Sequence, residues 1–421
     1  MPPKWRGLIV CEMQNPSRIL RSLRRHGWGS LRIIADRVIC AFASKGFRLN
    51  RHITVAKAAA RLFRWQLAGQ HWDRVRLNNL NPEDLHLMAM SLLRNLRWQD
   101  AANLVEFATK VGRGSIRLEL ARTEALWRLK DSAGVEASRS RAIAWLENPT
   151  PAEISLINNE DQVVNITSRL ELLWMTQPNI EAIRAKAQSL TIDQEQANKA
   201  FIYWDTGFNK APQLVKNCLQ QARKIYGEDL VELDRKSLSA ALPAEPQLKR
   251  VAKLWPANYS DAIRVGLLAR HGGVWLDATI FTTENSIGRH LDSDLFVFNY
   301  NGPRIASWFM SAKPGSYQAR LLYAAMLDYW SRNRKLKNYF LFHDFFEVLY
   351  HLDERFKLEF DAATKLHARP SLVLHNLLWK PFDDVEVRKA LQARPIQKLT
   401  YKPGNREHGK GTLFERFATQ A

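Results

Sequence analysis

The chain has few cysteines and no long apolar segment. Its three cysteines, Cys11, Cys40 and Cys218, are far apart and form no C-x-x-C pair. This spacing indicates neither a zinc site nor a disulfide framework, and a reducing compartment is then expected. No run approaches the roughly 20 apolar residues that span a bilayer. The apolar stretch from Gly7 to Cys11 is too short for a signal peptide, because Glu12 interrupts it. We therefore expect a cytoplasmic protein.

Acidic residues are also scarce relative to basic ones. The 421 residues contain 62 Lys and Arg against 42 Asp and Glu, which gives a formal net charge of +20. Such a charge favours anionic partners such as nucleic acid, lipid headgroups or phosphorylated substrates. No helix-turn-helix, zinc or RNA-binding signature accompanies the charge, so we expect no specific nucleic-acid partner. The length leaves room for two domains with a substantial core.

Residues 1–53 form a basic segment. Lys and Arg greatly outnumber acids there, and apolar residues such as Ile19, Leu23 and Trp28 lie between them. A basic amphipathic segment can lie on an anionic membrane surface, which would make the protein peripheral on the inner face of the plasma membrane. The alternative is a solvated basic helix that packs its apolar side on the protein.

Residues 54–192 have a strongly helical pattern, with few glycines and apolar residues at spacings of three and four. The stretch 92–101 resembles the stretch 125–134, and a weaker echo lies near residues 69–73. A period near 34 residues is typical of helical hairpins of the tetratricopeptide type. An irregular helical bundle is the competing prediction. The region contains no cluster of catalytic residue types, so we interpret it as a scaffold or docking surface.

Residues 197–421 change to an α/β pattern. Residues 200–204 form a β-type run that ends in the turn signal Asp205-Thr206-Gly207, and a helix over 213–226 precedes a second strand over 230–233. This β-α-β order is typical of a Rossmann-type nucleotide-binding fold. Further along, the pattern predicts a strand over 294–298 and helices over 316–332 and 339–350.

The most informative stretch is 260–281. Ile263, Leu267 and Leu268 have the spacing of a buried helix face, with Ser260 as the expected N-cap. A glycine pair at 272–273 ends the helix, and a short apolar strand follows and ends at Asp277. A carboxylate at the end of such a strand suits the binding of a diphosphate, usually through a divalent metal ion.

This stretch resembles the capsular polysaccharide synthesis protein family, within the wider set of nucleotide-sugar glycosyltransferases that have a D-x-D signature on a GT-A fold. The resembling pattern is S-D-x-x-R-x-x-x-L-x-x-x-G-G-V-W-L-D-A-T, which begins at Ser260 and ends at Thr279. Tyr203, Trp204, Gly207 and Pro212 match the start of the same family, so the resemblance covers roughly residues 199–421. It implies a GT-A-like domain that transfers a sugar from a nucleotide-sugar donor to a capsular or other surface polysaccharide acceptor.

The resemblance also implies roles for individual residues. Asp277 stands at the first acid of the D-x-D signature, where it would bind the ribose and the metal shell of the diphosphate. The second acid, usually a direct metal ligand, is replaced by Thr279. A hydroxyl is a much poorer ligand for a hard cation than a carboxylate. We expect a divalent cation, Mn²⁺ or Mg²⁺, as the cofactor, and the substitution puts that dependence in question.

Further residues are expected around the donor. Asp261 and Arg264 lie three apart on one helix face, and together they can accept from and donate to sugar hydroxyls. An ordinary surface ion pair is the alternative. The resemblance places Tyr203 and Trp204 at the nucleobase, with a position in the core as the alternative for Trp204, and it places Gly272 and Gly273 beside the substrate.

Two weaker candidates come from the C-terminal part. His343, next to Asp344 in an aromatic helix, is a candidate acceptor-side base or phosphate contact, and a buried structural histidine is the alternative. Lys398, with Thr400 and Lys402, is a candidate for neutralising the leaving diphosphate. The rival to the enzyme hypothesis is a non-catalytic scaffold with a degenerate transferase domain, and the main support for that rival is the replacement of the second acid.

Overall fold

The structure is a computed structural model, and it divides the chain into two compact units, Met1–Asn148 and Pro149–Ala421. It describes residues 49–61, 64–77, 80–160, 163–193, 197, 199–284, 293–333, 336, 339–402 and 410–419. The basic N-terminal segment, for which we expected contact with a membrane surface, therefore lies almost entirely outside the described residues. Among the described helices, none has the length and apolar character needed to cross a bilayer.

The first unit consists of helices. Its elements are α1 (Leu49–Arg61), α2 (Trp65–Trp72), α3 (Pro82–Arg94), α4 (Trp98–Lys110), α5 (Ile116–Arg128) and α6 (Ser132–Ala144). Helices α3 and α4 form one hairpin and α5 and α6 form another, and each helix of the second hairpin starts 34 residues after its counterpart in the first. The predicted period of helical hairpins is therefore present.

The two hairpins repeat their caps as well as their lengths. The side chains of Asn81 and Ser115 each accept a hydrogen bond from a backbone N–H in the first turn of their helix. The turns between helices contain Leu96 and Lys130, both with a φ of 61°, a left-handed conformation that is uncommon for residues with a Cβ. Because caps and turns recur at the same offset, the repeat is structural and not only compositional.

The second unit is an α/β structure. Its helices are α7 (Pro151–Ile157), α8 (Ile166–Thr176), α9 (Ile180–Ser189), α10 (Gln213–Tyr226), α11 (Leu238–Ala241), α12 (Leu248–Leu254), α13 (Pro256–His271), α14 (Tyr317–Arg332), α15 (Leu341–Leu352), α16 (Glu354–Ala362), α17 (Val373–Leu377), α18 (Asp384–Ala393) and α19 (Leu413–Thr419). Its strands are β1 (Ala200–Tyr203), β2 (Leu230–Leu233), β3 (Gly273–Asp277), β4 (Ile280–Thr282), β5 (Leu295–Asn299), β6 (Ile305–Ala312), β7 (Leu366–His367) and β8 (Ile396–Lys398). Helices α8 and α9, which composition had grouped with the helical region, pack within this unit against α15 and α14.

The strands form one mixed sheet and one small ribbon. The sheet has the order β2-β1-β3-β6-β5-β7, in which β2, β1 and β3 are parallel and β6 is antiparallel to both of its neighbours. Strands β4 and β8 pair antiparallel in the ribbon. Strand β3 is apolar and buried along almost its whole length, as expected of a strand covered on both faces. An α/β fold was predicted, and the architecture agrees with it.

Helix α13 begins earlier than the sequence pattern suggested. Ser260 was expected to be its N-cap, but the helix starts at Pro256, whose fixed φ and missing N–H suit the first helical position. Ser260 and Asp261 consequently lie inside the helix, in its second turn. The N-cap prediction was wrong because serine is also compatible with a helix interior once a proline has opened the helix upstream.

Candidate functional site

The carboxyl ends of β1 and β3 form the crevice that contains most of the predicted site residues. The two strands are adjacent and parallel, with Tyr203 paired in register with Asp277. From β1 the chain runs through α10 to β2 on one side, and it then returns through α11 to α13 to β3 on the other side of β1. Ligands of open α/β sheets bind where the connections diverge in this way.

Asp277 is the centre of a compact group of charged and polar side chains, which we call the Asp277 cluster: Asp261, Arg264, Asp277, Thr279 and Lys398. Arg264 joins the two acids, with its Nη1 3.0 Å from Oδ1 of Asp261 and its Nη2 2.8 Å from Oδ1 of Asp277. Nζ of Lys398 donates to Oδ2 of Asp277 at 2.7 Å and to Oγ1 of Thr279 at 2.7 Å. Two cations and two anions are thus held together at the end of β3.

The guanidinium of Arg264 is fixed from several directions. It lies 5.5 Å from the ring of Trp275 and 5.7 Å from that of Phe342, distances at which a cation is attracted to an aromatic face. Its Nε has no hydrogen-bond partner among the described residues, although the residue is buried, with 5% of its surface exposed. A buried donor without a partner is costly, and a bound ligand would satisfy it.

The two carboxyls of the Asp277 cluster have opposite pKa shifts. Burial raises the pKa of Asp261 to about 6, with Arg264 opposing and the charge of Asp277 adding to the increase. Burial acts on Asp277 in the same direction, but Arg264 and Lys398 outweigh it and hold the pKa of that carboxyl below its usual range. Asp277 is therefore an anion at neutral pH, whereas the pKa of Asp261 is only slightly below neutral pH.

The ribbon β4–β8 brings Lys398 to the cluster. Ile280 of β4 pairs in register with Lys398 of β8, and the N–H of Leu399 donates to the carbonyl of Thr279 at 2.9 Å. The backbone of the lysine is thus tied to the segment that immediately follows Asp277. Nothing in the local sequence around either residue indicates this contact, which links positions 121 apart.

These side chains form a poor site for a divalent cation. Hard cations need several oxygen ligands at 2.0–2.6 Å, as a general rule. At the end of β3 the cluster offers the carboxylate of Asp277 and the hydroxyl of Thr279, and the ammonium of Lys398 lies between them. Its other carboxylate, Asp261, is paired with Arg264. The remaining oxygen of Asp277, Oδ1, accepts from Arg264 and from Nε1 of Trp275 at 2.9 Å. No group of three or more His, Cys, Asp or Glu side chains with metal-binding geometry occurs among the described residues.

The other predicted residues are placed as follows. Trp204 continues from β1 and makes an edge contact with Tyr401 at a centroid distance of 5.4 Å. The hydroxyl of Tyr203 donates to Oδ1 of Asp205 at 2.6 Å, and burial raises the pKa of this tyrosine. Asp205 also pairs with Arg235 at 2.8 Å. Asp205 and Arg235 were not predicted, although each lies two residues beyond the carboxyl end of a strand, β1 for Asp205 and β2 for Arg235, where α/β sheets bind ligands.

Gly272 and Gly273 lie at the opposite end of β3 from Asp277. Both have positive φ, and a Cβ at Gly273 would be 2.2 Å from the carbonyl oxygen of Lys199. A Cβ at Gly272 would be 2.5 Å from the nitrogen of Pro314. The structure therefore explains these glycines by the close approach of backbone segments, and it does not bring them to the Asp277 cluster.

His343 lies near the cluster, but its neighbour Asp344 has a separate environment. Burial and the nearby Arg264 lower the pKa of His343 to about 4, so its imidazole is neutral at neutral pH. Its Nδ1 is buried and has no hydrogen-bond partner in the described part of the chain. Asp344 instead accepts a hydrogen bond from Ser168 at 3.2 Å, on the side of α8.

Trp275 was read from the sequence as part of a strand and not as a contact of the acid. Its indole N–H hydrogen-bonds Asp277 two residues further on, on the same face of β3. The period of two along a strand is the signal that could have revealed this contact.

Comparison with known proteins adds one finding. The model of the family described as capsular polysaccharide synthesis protein matches residues 157–417. The match begins at residue 157, earlier than the expected start near residue 199, and so includes helices α8 and α9. No curated protein and no solved structure matches the chain significantly. Because the family model covers more than half of the chain, including the whole Asp277 cluster, the chain belongs to the capsular polysaccharide synthesis protein family.

Proposed function

We propose that this protein is a glycosyltransferase with a GT-A-type domain, which moves a sugar from a nucleotide-sugar donor to a capsular or other surface polysaccharide. The Asp277 cluster, at the carboxyl ends of two adjacent parallel strands, is the observation that carries the proposal. It places fixed donors and acceptors of both charges in the crevice where α/β sheets bind nucleotides. Membership of a polysaccharide synthesis family is the independent support.

The donor sugar fits the Asp261 side of the cluster. Asp261 accepts hydrogen bonds and Arg264 donates them, and the unpartnered Nε of Arg264 adds a further donor. A vicinal pair of hydroxyls can donate to the one and accept from the other, which makes an acid–guanidinium pair suitable for a sugar ring. The nucleoside end then extends along the crevice towards Tyr203 and Trp204, where an aromatic face can stack on a base.

In the transfer, an acceptor hydroxyl oxygen forms a bond to the anomeric carbon while the bond from that carbon to the diphosphate oxygen breaks. The electron pair leaves on the diphosphate, and cations near that oxygen stabilise the developing charge. The neutral His343, close to Arg264, is the candidate for contacting the acceptor. Asp261 and Asp277 both pair with Arg264, so neither is a free carboxylate placed to form a covalent glycosyl intermediate.

A second candidate is a non-catalytic scaffold, favoured by the repeated hairpins of the first unit. Tetratricopeptide-like repeats are the finer interpretation of these hairpins, and such repeats bind peptide partners on their surfaces. Leu96, Trp127 and Trp145 are exposed apolar residues in this unit. In this hypothesis the second unit binds a glycan or nucleotide without turnover, and the protein acts in the cytoplasm at the membrane surface.

The test is calorimetric binding of a panel of nucleotide sugars to the full chain. We expect one donor to bind in the micromolar range and to bind at least about tenfold more weakly to Asp277→Ala, since a charge-assisted contact is lost. Asp384→Ala is the matched control, because Asp384 is an exposed acid paired with Arg388 on α18. Binding with sugar transfer to a polysaccharide acceptor supports the transferase, whereas binding without turnover supports the scaffold. No binding to a folded protein refutes both uses of the crevice.

A further inference from the structure

The ammonium of Lys398 occupies the place between the first and third positions of the D-A-T motif. It bridges Oδ2 of Asp277 and Oγ1 of Thr279 with two contacts of 2.7 Å. In a D-x-D signature these two positions hold a divalent cation, with a second carboxylate at the third position. Here the second carboxylate is absent and a positively charged side chain stands beside the first.

We infer that Lys398 replaces the divalent cation, and that the protein binds the diphosphate of its donor through this lysine without a metal ion. The inference rests on the proposed transferase function and extends it to the way the leaving group is stabilised. It differs from the expectation of Mn²⁺ or Mg²⁺ that the resemblance implied.

The charge balance at the D-A-T motif supports the replacement of a divalent cation by Lys398. A cation bound by two carboxylates leaves the site with a net charge of zero before the donor binds. One carboxylate with one ammonium gives the same net charge, and a threonine at the third position then avoids an excess negative charge. A Mn²⁺ ion at this motif would instead lie within a few Å of the ammonium, and the two carboxylates of the cluster would then face four positive charges.

The lysine is held but still accessible. Its side chain is 23% exposed, so it is only partly covered by protein. Asp277 and Thr279 use two of its three N–H donors, which leaves one for a phosphate oxygen. The ribbon β4–β8 fixes its backbone beside Thr279, so the charge is in place before the donor arrives. Preorganised charge of this kind is what stabilises a leaving anion effectively.

The step itself follows from the proposed reaction. As the bond between the anomeric carbon and the diphosphate oxygen breaks, its electron pair becomes negative charge on the diphosphate, next to the ammonium of Lys398. The acceptor oxygen forms the new bond to carbon, and its proton passes to water. The lysine keeps all three of its protons and acts by charge and hydrogen bonding alone.

The experiment measures binding of UDP, GDP, ADP, CDP and dTDP to the full chain by calorimetry, in EDTA and in Mn²⁺. We expect one of them to bind with the same affinity in both. Lys398→Met should weaken that binding by about 10- to 100-fold, as for the loss of one charge-assisted hydrogen bond. Lys389→Met is the matched control, since Lys389 is an exposed lysine paired with Glu386 at 3.0 Å on α18.

A second variant keeps the test decisive if Lys398→Met fails to fold. In Thr279→Asp with Lys398→Ala, the paired carboxylates of a D-x-D signature are restored, and the binding of the same diphosphate should become dependent on Mn²⁺. Binding to the wild type only in Mn²⁺ would overturn the role of Lys398 and leave the transferase proposal intact. An unchanged affinity in both Lys398 variants, irrespective of metal, would also overturn it. Failure of all five diphosphates to bind the folded wild type in either condition would overturn both proposals.

Discussion

Replacing Asp277 by asparagine should destabilise the second unit, because it leaves two cations without their shared anion. Asparagine keeps the shape of the side chain and removes its charge, so Arg264 and Lys398 are left facing a neutral amide. At an effective dielectric constant of about 20, a pair of unit charges 2.7 Å apart attracts by about 6 kcal/mol before desolvation is counted. Desolvation offsets much of this, and removing one partner of a buried pair costs about 3 kcal/mol. Because Asp277 is partly exposed, we expect about 2–3 kcal/mol.

The assay is urea unfolding of the full chain, followed by far-UV circular dichroism, with Asp384→Asn as the control. The transition that shifts in Asp277→Asn but not in the control reports the second unit. The double variant Asp277→Asn with Lys398→Met also removes one of the two cations that lose their shared anion. It should therefore be more stable than Asp277→Asn alone, by about 1 kcal/mol or more. If the two substitutions instead destabilise additively, the argument from paired charges is refuted.

Three further predictions concern other parts of the chain. Gly273→Ala should lower the free energy of unfolding by more than about 2 kcal/mol, because a Cβ at this positive φ would meet a backbone carbonyl. Gly302 also has a positive φ but lies in open space, so Gly302→Ala should lower it by about 1 kcal/mol. The midpoints of urea unfolding compare the two variants. Leu96→Gly should stabilise the first unit by about 0.5–1 kcal/mol, because glycine adopts the left-handed φ of this position without strain. Leu129 has an ordinary φ of −80°, so Leu129→Gly should destabilise the unit. Equal effects of the two substitutions in thermal unfolding would contradict this. Burial raises the pKa of Glu347 to about 7, so the folded state binds this proton more tightly than the unfolded state does. The free energy of unfolding should therefore fall as the pH rises from about 4.5 to 7. In Glu347→Gln, urea unfolding at a series of pH values should show a smaller fall.

The local pattern predicted much of the fold. The helix over 213–226 was predicted with its observed bounds, and the strands at β1, β2 and β3 were predicted within a residue or two. Proline, glycine and short apolar runs mark the bounds of these elements in the sequence. Strand β6 was not predicted, although it is central to the sheet. It is buried along its whole length and contains alanine and serine, so it shows no alternation of apolar and polar residues.

The site could be predicted in part for a similar reason. Asp261 and Arg264 share a helix face, and the turn at Gly272 leads the chain directly into the strand that carries Asp277. These relations are short-range and visible in the sequence. The contact with Lys398 depends on a pairing of two short strands from distant parts of the chain, and each of those strands is three residues long. Such pairings are determined by tertiary packing and not by local propensity.

The pairing of β4 with β8 also sets the order of events during synthesis of the protein. Asp277 leaves the ribosome well before Lys398, which lies 121 residues later in the chain. Until the later strand arrives, the partners of this carboxylate among the described residues before β8 are Arg264 and Trp275. A nascent or truncated chain that ends before residue 396 therefore contains every residue of the 260–279 motif and still lacks the Lys398 side of the Asp277 cluster. The complete Asp277 cluster therefore forms late, together with the pairing of β4 and β8.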